Sequence, residues 1–556
     1  MSATRTGDDK SGHRTVLDIQ NLTVSLPKGA DRAFAIEDVS LKVDAGEIVC
    51  IVGESGSGKS VTAFTVMGLN DPTALKPVNG SVLLDGKDLL SMPEAALRRL
   101  RGENMAMIFQ EPMTALNPVV KVGDQILEML EIHTDLSASE QKSKVLNAMQ
   151  DVNLPEHKKL YHSYPHQLSG GQRQRIMIAM ALVLEPDLLI ADEPTTALDV
   201  TTQAQILDLI KNIQREHGTG VLFITHDFGV VAEIADRVVV MQEGRVVEQG
   251  PCQDIIQRPE HPYTRMLVGS VPSMTPGHRV TIDERSEALS TKGLNKVYSD
   301  SSLFSRGREV HAAQDVNLVL HRGETLGVVG ESGSGKSTVA RCIVRLIDPT
   351  SGDVMIAGEN IATLNETALR SHRQDIQIVF QDPYRSLNPR RTVGQSIREG
   401  PMNFGLNHAE ADARAKELLQ IVGISPDALE RFPHQFSGGQ RQRVCIARAL
   451  AMQPKVLIAD EAVSALDVSV QAQVLELLDD IKSRFDLAML FITHDLRVAA
   501  QICDRIMVMQ NGQVVEEGKT AEVYADPKHA YTRSLLAAAP GREADFYSQE
   551  TASDRR

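Results

Sequence analysis

The feature that most constrains this chain is that its landmarks are written twice. Val-Gly-Glu-Ser-Gly-Ser-Gly-Lys-Ser occupies Val52–Ser60 and returns unchanged at Val329–Ser337. Ser-Gly-Gly-Gln-Arg-Gln-Arg begins at Ser169 and again at Ser437. Ala-Asp-Glu ends at Glu193 and Glu461, and Phe-Ile-Thr-His-Asp spans Phe223–Asp227 and Phe491–Asp495. Landmarks in one order at nearly constant separation mark an internal duplication. The first copy reads as 15–271 and the second as 289–540. Residues 272–288 read as a polar linker, and 1–14 and 541–556 as flexible ends.

Within each copy, short apolar runs such as Glu47–Gly53, Asp187–Glu193 and Val221–Asp227 alternate with helical periods. Continuous apolar strands separated by helices imply a buried, largely parallel sheet with helices on both faces, an α/β fold. The stretches 122–160 and 393–423 lack strand formers and carry apolar residues at helical spacing. They read as a helical subdomain inserted in each core.

Composition removes several classes. The 556 residues carry a formal charge of −15, which disfavours nucleic acid as a ligand. Aromatics are 4% with no Trp, thin for a base-stacking surface. The five cysteines are scattered with no Cys-x-x-Cys pair, which disfavours a zinc ribbon, an iron–sulfur cluster or a disulfide scaffold and favours a reducing compartment. No apolar run is long enough for a membrane span, and the polar first residues show no leader. Any membrane role is expected to be peripheral.

The chemistry sits on the repeated motifs. Gly53-x-x-x-x-Gly58-Lys59-Ser60 and Gly330-x-x-x-x-Gly335-Lys336-Ser337 each follow a strand and open a helix. That context makes them P-loops. Gly53, Ser55, Gly56 and Gly58, with Gly330, Ser332, Gly333 and Gly335, shape loops whose N–H groups wrap phosphate oxygens. Lys59 and Lys336 reach toward the β- and γ-phosphates, while Ser60 and Ser337 offer a hydroxyl to Mg²⁺. Asp192 and Asp460 end apolar strands, where a magnesium-linked acid belongs. Glu193 and Glu461 follow, placed to polarise a water, and His226 and His494 end the next strand within reach of a γ-phosphate. Ser169-Gly170-Gly171-Gln172 and Ser437-Gly438-Gly439-Gln440 each open a long helix and form a second anion site per copy.

Taken together, these motifs resemble the ATP-binding cassette family over nearly the whole chain. The resemblance implies two tandem P-loop NTPase domains. Each would have a RecA-like core, an antiparallel β subdomain and an inserted helical subdomain. It implies ATP and Mg²⁺ as ligands and a head-to-tail pairing of the two cassettes within one chain. Lys59 would then share a nucleotide with Ser437, and Lys336 with Ser169. It assigns Gln110 and Gln381 to the Mg²⁺ and water, and Asp199 and Asp467 to coupling between the sites. Phe34 and His311 stand at the positions that stack on adenine, His311 being a departure from the family's aromatic. Phe436 for Leu168 and Ala462 for Pro194 are further differences between the copies. Both sites keep their full reacting set and are expected to be competent.

Glu111–Pro118 and Asp382–Pro389 share a P-x-x-x-L-N-P pattern, and Arg258–Pro272 and Asp526–Pro540 share an H-x-Y-T tail. These resemble bacterial oligopeptide, dipeptide and nickel importers, with two ATPases fused as in importers of glutathione and microcin C-like peptides. Two permease subunits, an external solute-binding protein acting indirectly, and the cytoplasmic face of the bacterial inner membrane follow as expectations. Import of a non-peptide solute such as nickel is an alternative, as is a soluble tandem ATPase acting in translation. A DNA-repair role would need zinc cysteines and coiled-coil arms that the sequence lacks. A non-catalytic module would be expected to lose a catalytic Glu or a signature glycine.

Overall fold

The computed structural model describes residues 14–110, 115–195, 198–277, 286–299, 309–464, 466–542, 544 and 546–547. Among the described residues the first cassette carries ten strands: β1 (Thr15–Ser25), β2 (Phe34–Asp44), β3 (Ile48–Val52), β4 (Lys76–Leu84), β5 (Lys87–Asp88), β6 (Met105–Ile108), β7 (Leu188–Asp192), β8 (Gly220–Ile224), β9 (Arg237–Gln242) and β10 (Arg245–Pro251). They form two sheets, ordered β2-β1-β4-β5 and β10-β9-β3-β8-β7-β6.

The larger sheet is parallel from β9 to β6, and β10 returns antiparallel at its edge. Every residue of β3, β6, β7 and β8 is buried, which explains why these strands read as continuous rather than alternating apolar runs. The smaller sheet is antiparallel throughout. Between β6 and β7 lies the helical insertion, with helices Val122–His133 and Ala138–Asp151. Ser137 and Glu140 form a reciprocal capping box that starts the second of these helices.

The second cassette repeats this order as β11 (Glu287–Ser299), β12 (Glu309–His321), β13 (Thr325–Val329), β14 (Ser351–Ile356), β15 (Glu359–Asn360), β16 (Ile376–Val379), β17 (Val456–Asp460), β18 (Ala488–Thr493), β19 (Arg505–Gln510) and β20 (Gln513–Lys519). Its sheets run β12-β11-β14-β15 and β16-β17-β18-β13-β19-β20. Helices Val393–Asn403 and His408–Ile421 form the matching insertion.

The chain therefore folds as two tandem α/β P-loop domains, each with a parallel core, an antiparallel β subdomain and a helical subdomain. The bulk of the first compact unit is Met1–Leu198 with Thr202–Val271, and the second contains Pro272–Ala539. Two expected boundaries shift. β11 starts at Glu287, inside the expected linker, because its first residue pairs with His321. Arg14, expected in a flexible end, holds Asp85 at 2.8 Å and Asp187 at 3.1 Å. The described tail residues, 540–542, 544 and 546–547, group with the first unit, where the Tyr547 N–H donates to the Ile256 carbonyl at 3.0 Å. Residues 1–13, 278–285 of the linker and most of the tail lie outside the described residues.

Candidate functional site

Each P-loop is built by a strand that ends under the first glycine and a helix that starts at the lysine. In the first cassette β3 gives way to Gly53, and the helix Lys59–Met67 begins after Gly58. Gly58 has φ 104, and a Cβ there would lie 2.5 Å from Ile36 Cγ2. A Cβ on Gly53 would lie 2.2 Å from the Met241 carbonyl oxygen. The glycines are thus demanded by a loop that curls tightly over β2 and β9. Gly330 and Gly335 repeat both constraints, against the carbonyl oxygens of Met509 and Ala312. Inside the loops, the hydroxyls of Ser57 and Ser334 are buried with no hydrogen-bond partner. Buried polar atoms are rarely left so without a ligand or water to satisfy them.

Lys59 and Lys336 are buried and turn back on their own loops. Lys59 Nζ donates to the carbonyls of Gly53 at 2.6 Å and Glu54 at 2.9 Å. Lys336 Nζ does the same to Gly330 at 2.7 Å and Glu331 at 2.8 Å. Burial pulls the Lys336 ammonium below the usual lysine range, against the raising pull of Glu461 and Asp460.

Four elements converge on the phosphate end. Ser60 Oγ donates to Asp192 Oδ1 at 3.1 Å, and Ser337 Oγ to Asp460 Oδ1 at 2.8 Å. Burial raises Asp192 to about 6, with Ser60 opposing and Glu193 adding to the rise. Asp460 is raised too, first by burial. Gln110 Nε2 donates to Glu193 Oε2 at 2.9 Å, and Gln381 Nε2 to Glu461 Oε2 at 2.9 Å. His226 Nδ1 lies 3.3 Å from Glu193 Oε1, and His494 Nδ1 lies 3.4 Å from Glu461 Oε2. Burial pushes Glu461 up, but the hydrogen bond and charge of His494 outweigh it, so its carboxyl sits below the usual range. Burial lowers His494, and Glu461 overrides that in turn. Both glutamates occupy the left-handed region, Glu193 at φ 46 and Glu461 at φ 50. A β-carbon is disfavoured there, so the surrounding fold holds these residues in place.

The structure thus gathers Lys, Ser, Gln, Asp, Glu and His in each cassette. An Mg²⁺ ion suits this donor set: a buried carboxylate and a hydroxyl, both hard oxygens, leaving the remaining positions to phosphate and water. Among the described residues no cluster of three or more His, Cys, Asp or Glu forms an all-protein metal cage.

The signature motifs sit at helix N-termini. Ser169 caps the helix Gly170–Leu182: its Oγ accepts from the Gln172 N–H at 3.2 Å, and Gln172 Oε1 accepts from the Ser169 N–H at 3.0 Å. Ser437 and Gln440 repeat this at 3.3 and 3.1 Å, opening Gly438–Leu450. A Cβ on Gly170 or Gly438 would meet nothing within 4 Å. The cassette's own packing does not require glycine there, whereas close approach of a ligand would. Gly171 and Gly439 differ, since a Cβ would press on Thr202 and Val470. Asp199 precedes the helix Val200–His217, and Asp467 is the N-cap of Val468–Phe485.

Phe34 opens β2, and His311 sits in β12 with its Nε2 4.0 Å from Glu309 Oε2. Phe436 is buried in the core, as expected of an apolar replacement for Leu168.

The ABC transporter family matches residues 36–196 and 313–464. This chain is an ABC transporter ATPase. The C-terminal region of oligopeptide/dipeptide transporters also matches twice, at 247–298 and 515–549, so both cassettes are of the peptide-transporter type. Glutathione import ATP-binding protein GsiA of Salmonella typhimurium is 47% identical over 564 residues, covering 96% of this chain and 90% of that protein. GsiA of Escherichia coli K12 is 46% identical, covering 95% and 90%. Among solved structures, a dimeric ATP-binding cassette in a post-hydrolysis state with ADP and phosphate is 29% identical. It covers 42% of this chain and 98% of that one, at a TM-score of 0.39. The ABC ATPase binds ATP and couples its hydrolysis to transport. Among the described residues no helix is long and apolar enough to cross a membrane.

Two contacts at the P-loops were not marked as functional in the sequence. Tyr263 and Tyr531, in the H-x-Y-T tails, touch Glu54 and Glu331. Arg32 donates to the Gly56 carbonyl at 2.7 Å. The duplicated tail was the available signal for the tyrosines, and nothing local flagged Arg32.

Proposed function

We propose that this chain is the motor of a bacterial peptide importer, seated peripherally on the cytoplasmic face of the inner membrane beneath two permease subunits that receive solute from an external binding protein. The relatives named for glutathione import make a short peptide of that kind the first solute to try. The observation that carries the reading is the Gln–Glu–His cluster, formed in the same way at the end of β7 and of β17.

On this reading Lys59 and Lys336 leave their loop carbonyls for the β- and γ-phosphates. Ser60 with Asp192, and Ser337 with Asp460, hold Mg²⁺, which neutralises phosphate charge when bound. Glu193 and Glu461 accept a proton from the attacking water, while Gln110, Gln381, His226 and His494 hold those carboxylates in line. The cassettes close head to tail within one chain, so Lys59 works with Ser437, and Lys336 with Ser169. Asp199 and Asp467 carry the state of one site to the other, and Phe34 and His311 cover adenine.

Crossed double variants test the pairing in a Glu193→Gln, Glu461→Gln background. Lys59→Ala with Ser437→Arg disables one composite site and should leave about one tightly held ATP per chain. Lys59→Ala with Ser169→Arg damages both sites and should leave nearly none. The reverse occupancies would defeat the head-to-tail arrangement. Co-purification from the host membrane would identify the permeases and solute.

A further inference from the structure

The C-terminal tail of each cassette reaches its P-loop through one tyrosine. In the first cassette the helix Pro262–Gly269 is capped by His261, whose Nδ1 accepts from the Tyr263 N–H at 3.2 Å. The cap is itself anchored: Glu260 and His261 donate their backbone N–H groups to Glu248 on β10, at 2.8 and 3.1 Å. This fixes the first turn, and the Tyr263 ring is buried with 7% of its surface exposed. Its hydroxyl accepts from the Glu54 N–H at 3.1 Å and donates to the Glu54 carboxylate at 3.4 Å.

The second cassette repeats the device. His529 caps Ala530–Ala537, Lys528 and His529 donate to Glu516 at 2.7 and 3.0 Å, and the Tyr531 hydroxyl accepts from the Glu331 N–H at 3.1 Å. Burial raises the Tyr531 phenol to about 12, so it stays a protonated donor.

Glu54 and Glu331 are the residues whose carbonyls also hold Lys59 and Lys336. The peptide unit before the glutamate α-carbon is thus gripped by both the tyrosine, at its N–H, and the lysine, at its carbonyl, and the unit after it by the same lysine, which must swing to phosphate. We infer that Tyr263 and Tyr531 are positioning residues of the nucleotide sites, through which the peptide-transporter tail sets the affinity of each P-loop for ATP. The tyrosine acts through the loop backbone, so its effect belongs to binding rather than to water attack. This rests on the P-loops being the ATP sites.

The test is ATP titration and steady-state hydrolysis on the full chain carrying Tyr263→Phe and Tyr531→Phe. The ring is kept and only the hydroxyl is lost. The expected result is a Kd and KM for ATP raised about tenfold, with kcat at saturation within about twofold of the parent. A parent-like Kd in the Phe pair would overturn the inference. So would a lowered melting temperature and kcat at unchanged Kd, the pattern of a packing role alone. Should the Phe pair not fold, His261→Ala with His529→Ala decides. It should weaken ATP in the same way, and the capping-competent Asn pair should restore it. Equal Kd values for the Ala and Asn pairs would also overturn it. A parent chain that bound no ATP would instead refute the assignment of the P-loops.

Discussion

The two nucleotide sites share every reacting group and differ in what surrounds them. Arg32 bonds the Gly56 carbonyl beside the first P-loop, whereas the matching position before β12's Val310 is Glu309, a charge of opposite sign next to His311. Gln174 of the first signature helix donates to the Pro194 carbonyl at 2.5 Å. Its counterpart Gln442, in the cassette that has Ala462 in place of Pro194, turns to the Phe380 carbonyl at 3.5 Å. A duplicated fold has therefore kept its chemistry fixed while its electrostatic rim diverged. The lesson is that the groups at the phosphate end and the charges beside the loop lie on different residues, free to change separately.

Four experiments sharpen or break this comparison. The largest effect concerns shared chemistry: Glu193→Gln and Glu461→Gln, made singly, should each lower kcat about a hundredfold or more while ATP still binds. A large loss from only one of them would mean that the sites are not chemically equivalent.

Next comes the rim. In a Lys336→Ala background, Arg32→Glu should weaken ATP at the first site about five- to tenfold, as judged by equilibrium titration. In a Lys59→Ala background, Glu309→Arg should tighten the second. Both differences should shrink in high salt, because these groups are partly exposed. No change in either would leave the charge reversal without consequence.

A third experiment reads stability. Asp192 is ionised at neutral pH despite a folded pKa near 6, so its charge destabilises the unliganded fold. Asp192→Asn should abolish Mg²⁺-dependent hydrolysis yet raise the stability of the nucleotide-free chain, by up to about 3 kcal/mol. The gain should be full above about pH 6 and fade as pH falls toward 3.8, the value of an unburied aspartate. Asp460→Asn should shift stability in the same direction. Thermal melts across pH would show a contrary sign at once. The smallest effect is expected for Pro194→Ala, which makes the first site match Ala462. Turnover should hold, and stability should fall by less than about 1 kcal/mol.

Much of this was legible in the sequence because it is local. The P-loop glycines, the signature cap and the acids at strand ends each announce themselves within a few residues, and the duplication printed every one of them twice. The antiparallel subdomain rested on family resemblance, since β1 and β4 are distant in sequence and their pairing leaves no short motif. Tyr263 lies 209 positions from Glu54, and only the folded chain brings its hydroxyl to the loop. Arg32 stands before β2 in a polar stretch like many others. The boundary at Glu287 was missed because pairing with His321, not local composition, decides where β11 starts.

The left-handed backbone at Glu193 and Glu461 gives the decay of such a site a direction. Glycine is at ease in that conformation, and asparagine nearly so, whereas glutamate is held there by its surroundings. A descendant lineage released from selection for hydrolysis at one site would drift first toward glycine or asparagine at that position. The residue found there in a distant cousin would then record which of its two engines had fallen silent.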